Sequence, residues 1–550
     1  MAELTQSSLG SAGSARPINQ RAIFIASFMT LISAGIGFAV RGGILADWGA
    51  QFGFTQTELG ELFGAGLAGF GVTIIFFSFF ADTFGYRALL IGAFVLLVLS
   101  AIVTVCATPI YSANHSKTAV YWTLYVGTFM FSLAQGLCEA SINPLTATLY
   151  PKQKTHYLNI LHAGWPGGLV IGSVVAYLFA TKNAATKIPV RWEVLATLYL
   201  IPTLYFGIIV LKNRFPISEA KAAGISVPQM IATLVAPMLL FLFLIHAMIG
   251  YVELGTDGWI QNIMKNTIGN KASLLLAYTS ILMFILRFFA GPIVHKINPL
   301  GLLCIAACCG AIGLYLLGTV NTGILIVVAG TIFALGKTFY WPTMLGVIGE
   351  RFPRGGAVAM GISGGIGMLS AGFLGGPGIG YTQDRHASTE LQQVAPGAFD
   401  RVKATIVVDG QVKPKENSFL FFSPIQGLDG QKVAVIADDA KQLKEDLSKK
   451  PTDEGLLALN NWYTTIELPH VTEDQKPVND AVIFGGRRAL QVTAGLPVTM
   501  ACCFLLLVLY FIARGGYKAV HLDSSGRSIE VTHDAAEEAA IEAAAPTSEA

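Results

Sequence analysis

Six charged residues lie in stretches apolar enough to cross a membrane: Arg41, Glu139, Glu253, Asp257, Arg287 and Lys337. A charge at membrane depth costs at least about 2.5–3.5 kcal/mol on insertion scales, so such residues turn away from lipid and carry function. A buried carboxylate can take a proton from one side and give it up to the other. Glu139 is the proton-coupling candidate. A fixed ion pair with Lys337 or Arg41, or direct solute contact, are the other roles open to it. The planar fork of Arg41 suits a carboxylate or phosphate, or else caps its segment near the outer mouth. Lys337 sits mid-segment, too deep to reach the interface, and belongs in a cavity.

Asn143 stands beside Pro144 and Trp341 beside Pro342. Each proline frees a backbone carbonyl that can face a cavity. His162 and Trp165 share the stretch HAGWPGG. Trp259, Tyr340 and Trp341 could stack on a sugar ring, or serve in packing or interface belts. The candidate solute site is therefore Arg41, Asn143, His162, Trp165, Glu253, Asp257, Trp259, Lys337, Tyr340 and Trp341. His246 reads as a core histidine.

These residues must be held by membrane helices. The chain has 550 residues, 53% hydrophobic and only 13% charged, with mean hydropathy +0.59. Soluble proteins carry roughly 25% charged residues. About 20 apolar residues cross a bilayer. Twelve segments qualify, at roughly 22–45, 57–81, 87–108, 119–149, 157–181, 191–212, 232–260, 271–296, 300–319, 323–347, 356–380 and 486–514. They fall into two sets of six around a polar linker at 213–231. Weak repetition supports two halves: FFAD at 79–82 against FFAG at 288–291, and Glu139 and Pro144 against Lys337 and Pro342. Two similar halves can rock about a site between them. Lys and Arg in short loops number 13 on one face and 6 on the other, which puts both termini in the cytoplasm.

The stretch 1–21 reads as a polar cytoplasmic tail, and the apolar run after it as a retained span rather than a signal peptide. Residues 381–485 read as a small outer α/β domain, with strands at KATIVVDG and KVAVIADD and a helix at DDAKQLKEDLSKK. Residues 515–550 read as a disordered cytoplasmic tail. The seven cysteines lie in apolar segments without metal-ligand spacing. Glycine-rich runs at GELFGAGLAGFG and GISGGIGMLSAGFLGGPGIG let helices approach closely. No Walker motif, metal box or nucleophile elbow occurs, which argues against an ATP-driven pump and against an enzyme. A net charge of +2 gives no case for nucleic acid.

The loop SFFADTFGYRALL resembles the signature of the major facilitator superfamily, with Asp82, Gly85 and Arg87 at matching positions. Ser78 stands where that pattern has its first glycine, and Tyr86 where a basic residue is usual. The resemblance implies gating contacts for Asp82, Gly85 and Arg87. The second half carries a degenerate copy, RFFAGPIVHK, with Arg287, Gly291 and Lys296 but no Asp, and Arg287 is its gating candidate. The stretch GLCEASINPLTATLYPKQKTHYLNILHAGWPGG is similar to the fucose:proton symporter family at Glu139, Asn143, Pro144, Leu158 and Asn159. GYVELGTDGWI is similar to the same family around Glu253. The first segment differs, with Arg41-Gly42-Gly43 where that family has an Asn-Asp pair.

The expectation is an all-α polytopic membrane protein of twelve transmembrane helices in two six-helix pseudo-repeats, the major facilitator fold. Its domains are a bundle at 22–212, a linker at 213–231, helices seven to eleven at 232–380, the inserted outer domain at 381–485 and helix twelve at 486–514. The expected function is alternating-access transport of a small polar solute, a sugar or sugar acid being the leading candidate, in symport with protons. The alternatives are an organic-anion uniporter or exchanger, and a transport-inactive sensor that uses the outer domain. Solute, protons and the lipid bilayer are the expected partners, with no cofactor and a functional monomer. The expected place is a plasma membrane or bacterial inner membrane.

Overall fold

Apolar runs of this length must satisfy their own backbone groups in lipid, which leaves helices as the spanning element. The computed structural model describes residues 18–52, 62, 69–114, 116–179, 190–268, 272–320, 322–408, 411–414, 416–449, 451, 454–522 and 528–531. It is mostly helical. Among the described residues, nine helices are long and apolar enough to cross a membrane. Two shorter apolar helices, Gly69–Ser78 and Leu274–Arg287, join them. The 33-residue helix Lys117–Leu149 is not one of the nine. Its second half is almost wholly buried and holds Gln135, Glu139, Ser141 and Asn143.

In the first half, Gln20–Phe52 packs along Gly164–Phe179, and Tyr86–Val105 along Lys117–Leu149. In the second, Ala290–Leu317 packs along Gly323–Lys337 and Gly495–Ala513, and Pro237–Gly250 along Gly356–Ser370. The halves meet where Lys154–His162 lies on Tyr340–Arg351, and where Gly164–Phe179 lies on Ala272–Arg287. The loop at 82–87 turns at Gly85, whose φ of 79° is open to glycine without strain.

Helix Gly376–Val394 continues past the expected end of its segment, and the last spanning helix already starts at Val471. These extensions pack on each other, with Gly485 against the backbone of Gln383 and Ala387. Between them lie two antiparallel hairpins, Thr405–Val408 with Gln411–Pro414 and Glu416–Phe419 with Phe422–Gln426, and several helices. KATIVVDG supplies a strand at Thr405–Val408, as expected. KVAVIADD does not. It is the helix Gly430–Ala437, because Asp429 accepts from the backbone N–H of Gln431 and Lys432 and caps it. That cap outweighs the period-two look of its apolar residues. DDAKQLKEDLSKK forms the helix Lys441–Lys449.

The expected disorder of 515–550 also needs correction. Ala519–Leu522 pairs antiparallel with Ser528–Val531. The sequence AVHLDSSGRSIEV has the alternation and turn residues of a hairpin, a signal masked by the Ala/Glu-rich end after it. Residues 532–550 lie outside the described residues.

Candidate functional site

Arg287 ends the helix Ala272–Arg287 and is 2% exposed. Its Nη2 lies 3.2 Å from Glu253 Oε1. Its Nε donates to the main-chain carbonyl of Thr338 at 2.9 Å. Its Nη1 donates to the main-chain carbonyl of His162. The first two partners belong to the second half, the third to the first. A guanidinium has five donors in a rigid fork, so one side chain can face three ways.

Glu253 reaches Arg287 from a π-turn, Tyr251–Gly255. Such turns insert a residue into a helix and re-aim its side chains. A second π-turn, Ala371–Gly375, lies against it. A Cβ on Gly255 would stand 3.0 Å from the Gly375 backbone, so the two turns touch through glycine.

On the first-half side the contacts continue. His162 Nε2 is 2.9 Å from Asn143 Oδ1. Asn143 Nδ2 donates to Glu139 Oε2 at 2.6 Å. Asn143 and Glu139 are one turn apart on a single helix, a spacing that puts them on one face. With its amide nitrogen committed to Glu139, Asn143 offers His162 an acceptor, so Nε2 of His162 carries the proton. Glu139, Asn143, His162, Arg287 and Glu253 thus form one buried chain across both halves. The Glu139 carboxylate thus accepts its side-chain hydrogen bond from a neutral amide. Neither Lys337 nor Arg41 pairs with it.

Lys337 instead holds Asp257, Nζ to Oδ1 at 2.5 Å. Lys337 is the deeper member, with its side chain 1% exposed against 20% for Asp257. Arg41 lies elsewhere in the first half. Its guanidinium stands 3.7 Å from the Phe131 ring centroid and 5.5 Å from that of Tyr199, a cation–π seat. Phe131 precedes Glu139 by eight residues on one helix, about 12 Å along its axis.

The aromatic candidates separate. Trp341 is edge-on to His246 at 4.7 Å, and His246 Nδ1 pairs with Ser363 Oγ at 2.5 Å. Trp259 Nε1 donates to the Gly376 carbonyl at 2.9 Å, beside the second π-turn. Trp165 packs 5.5 Å from Phe38. Tyr340 is wholly buried and donates to the Ala306 carbonyl at 3.1 Å, so its hydroxyl is spent inside the second half. Arg87 donates to the carbonyls of Val210 and Leu211 at 3.2 and 2.8 Å, capping helix Leu200–Lys212 at its C-terminus. Asp82 starts the next turn of backbone, and its side chain lies outside the described residues.

A second cluster ties the halves at the face carrying these loops. Thr155 donates to Glu350 Oε1 from Oγ1 at 2.6 Å and from its backbone N–H at 3.3 Å. Lys154 Nζ donates to the Gly349 carbonyl at 3.2 Å. Asn159 donates to Thr343 Oγ1 at 3.0 Å, and His156 Nδ1 accepts from the Gly291 backbone at 3.0 Å. Of these, only Asn159 had a sequence signal. Glu350 and Arg351 look like ordinary loop charges at a segment end, which hides their pairing.

The sequence profile of the Major Facilitator Superfamily matches residues 23–376. The cis,cis-muconate transport protein of Acinetobacter baylyi is 25% identical over 293 residues, 50% of this chain and 66% of that protein, just under two thirds of its length. The proton:xylose symporter XylE superposes with a TM-score of 0.53 at 17% identity, covering 65% of this chain and 87% of that one. The fucose:proton symporter FucP of E. coli superposes with a TM-score of 0.51 at 17% identity, covering 66% and 93%.

Proposed function

The chain belongs to the Major Facilitator Superfamily, and from that premise we propose a twelve-helix, proton-coupled carrier of a small polar solute that works by alternating access. It is an integral membrane transporter of that fold, and its relatives are transporters rather than enzymes. The observation that carries the proton reading is the buried chain from Glu139 through Asn143 and His162 to Arg287 and Glu253. Two acids, Glu253 and Asp257, each have a cation. Glu139 hydrogen-bonds a neutral amide, and Arg287, whose charge also reaches it, keeps Glu253, so Glu139 is the acid whose charge a proton cancels without leaving a cation alone. Protonation weakens its hold on Asn143, and the change passes through His162 to the contact that joins the halves. Both halves share the chain, so loading biases the rocking equilibrium between them.

Solute binds beside this chain, with Asp257, Lys337, Trp259 and Trp341 as lining. Asp82, Gly85 and Arg87 serve the gate at the cytoplasmic face, where both termini lie. The region 381–485 stands outside the membrane. A second reading is an organic-anion carrier, for which Arg287 and Lys337 are the cations and the muconate transporter is the supporting relative. Uptake into proteoliposomes tests both, using sugars, sugar acids and cis,cis-muconate with and without an imposed proton gradient. Gradient-driven accumulation of one solute supports symport. Counterflow that ignores the gradient supports the second reading. No solute-dependent flux under any gradient contradicts both.

A further inference from the structure

The carboxylate of Glu350 is divided between two parts of the chain. Oε1 takes both bonds from Thr155 of the first half. Oε2 takes the hydroxyl of Tyr517, which follows the last spanning helix, at 2.8 Å. Glu350 is 3% exposed. Its neighbour Arg351 donates to the Lys518 carbonyl at 2.5 Å and to Glu530 at 3.2 Å, and stands 5.0 Å from the Phe511 ring. Tyr517, Lys518 and Glu530 thus fix this part of the chain to the helix end that closes on Lys154–His162.

The hairpin Ala519–Leu522 with Ser528–Val531 is seated, not merely tethered. Ala519 and Val520 are buried. Leu522 packs on a small apolar cluster of Ala220, Ile225, Met230 and Val358. That cluster joins the linker between the halves to the start of helix Gly356–Ser370. The hairpin, with the Tyr517 that leads into it, thus touches the gate carboxylate, the second half and the linker. A two-stranded hairpin is marginal alone, so this seat is what orders it.

We infer that the C-terminal hairpin is a brace that holds the face of Thr155 and Glu350 closed, and that its release favours opening there. The inference rests on the alternating-access reading. Thr155 gains when Glu350 is held still, since a carboxylate fixed by Tyr517 needs no further ordering to accept. Opening parts Thr155 from Glu350, and the brace raises the cost of that step. Sequence after residue 514 is thereby coupled to a membrane gate without touching solute.

The test places a thiol beside the closed face. Ala147 is 7% exposed and lines a cavity of about 30 Å³ with Pro144, Lys154, Gly349 and Met360. The Ala147→Cys chain, full length and in detergent, is alkylated with a maleimide, and modification of residue 147 is read by peptide mass spectrometry. Tyr517→Phe should raise the rate several-fold, and a stop after Arg514 by about tenfold, the scale of one or two lost hydrogen bonds. Thr155→Ala, which breaks the gate directly, should raise it as well. If Thr155→Ala speeds labelling while both tail variants keep the parent rate, the brace is overturned and the carrier reading stands. If residue 147 resists labelling in every chain, Thr155→Ala included, the alternating-access reading itself fails. Should the truncated chain not fold, Tyr517→Phe decides.

Discussion

Arg287, in the second half, donates to the main-chain carbonyl of His162, in the first. That contact joins the carboxylate of Glu253 to the pair of Asn143 and Glu139, and it is the narrowest point of the chain between the halves. Removing one partner of a buried ion pair costs about 3–5 kcal/mol, because the other charge is stranded. Arg287→Ala and Glu253→Gln should therefore each lower the thermal unfolding midpoint in detergent, and the double variant should lose less than the two single losses added. Arg287→Lys should keep the charge and lose the fork, folding but transporting poorly. Losses that simply add in the double variant would contradict this placement.

Asn143 links Glu139 to His162, donating to the first and accepting from the second. Asn143→Leu should fold, since the site is buried and the volumes are close. It should cut gradient-driven uptake by about tenfold or more, the scale of one lost charge-assisted contact. Asn143→Asp should do the same by placing two carboxylates one turn apart. Uptake at the parent rate in both variants would remove Asn143 from the pathway.

Lys337 and Asp257 test the second charge pair. Lys337→Met leaves Asp257, the more exposed partner, whereas Asp257→Asn leaves Lys337 deep and without its hydrogen-bonded acid. The asymmetry in exposure predicts greater loss of folded yield for Asp257→Asn. The exchanged pair, Lys337→Asp with Asp257→Lys, should recover yield above either single reversal. Recovery absent from the exchanged pair would show that the two side chains do not act together.

Much of this site could be read from residue types, because charge in an apolar run has few tolerable places. Arg41, Glu139, Glu253, Asp257, Arg287 and Lys337 all stand out on that ground, and all but Asp257 are buried. Their pairing could not be read. A linear sequence shows that Lys337 needs an acid but not that Asp257, eighty residues earlier, supplies it. Arg287 resembles a gating residue at a loop and instead occupies the centre, because its helix ends inside the protein. The pair of Thr155 and Glu350 was invisible for the opposite reason: both sit at segment ends, where polar residues need no explanation. KVAVIADD shows the limit for secondary structure. Its alternation suits a strand, and a single aspartate upstream reverses the outcome.

Beyond the candidate spanning helices, Glu467 gives a pH signature. It is fully buried against Asp474 and Arg401, with Arg401 Nε 3.8 Å away and committed to Asp474. Burial, then the neighbouring Asp474, pushes its carboxyl up to about 7. A raised folded-state value means the folded chain binds a proton that the unfolded chain has released. Stability of this region is then fullest below the usual carboxylate range and falls as pH rises toward 7. Hydrogen exchange of helix Glu454–Trp462 and the π-turn after it should show faster opening at pH 7.5 than at pH 5. Glu467→Gln should flatten that dependence. A slope unchanged in Glu467→Gln would assign it to another group.

The central claim is that a proton on Glu139 drives solute across the membrane. Purified Glu139→Gln in proteoliposomes, set against the parent chain with the solute found by the uptake panel, measures it directly. The account predicts that an inward proton gradient drives accumulation in the parent and none in Glu139→Gln, while solute counterflow persists in both. Gradient-driven accumulation by Glu139→Gln at the parent level would contradict it.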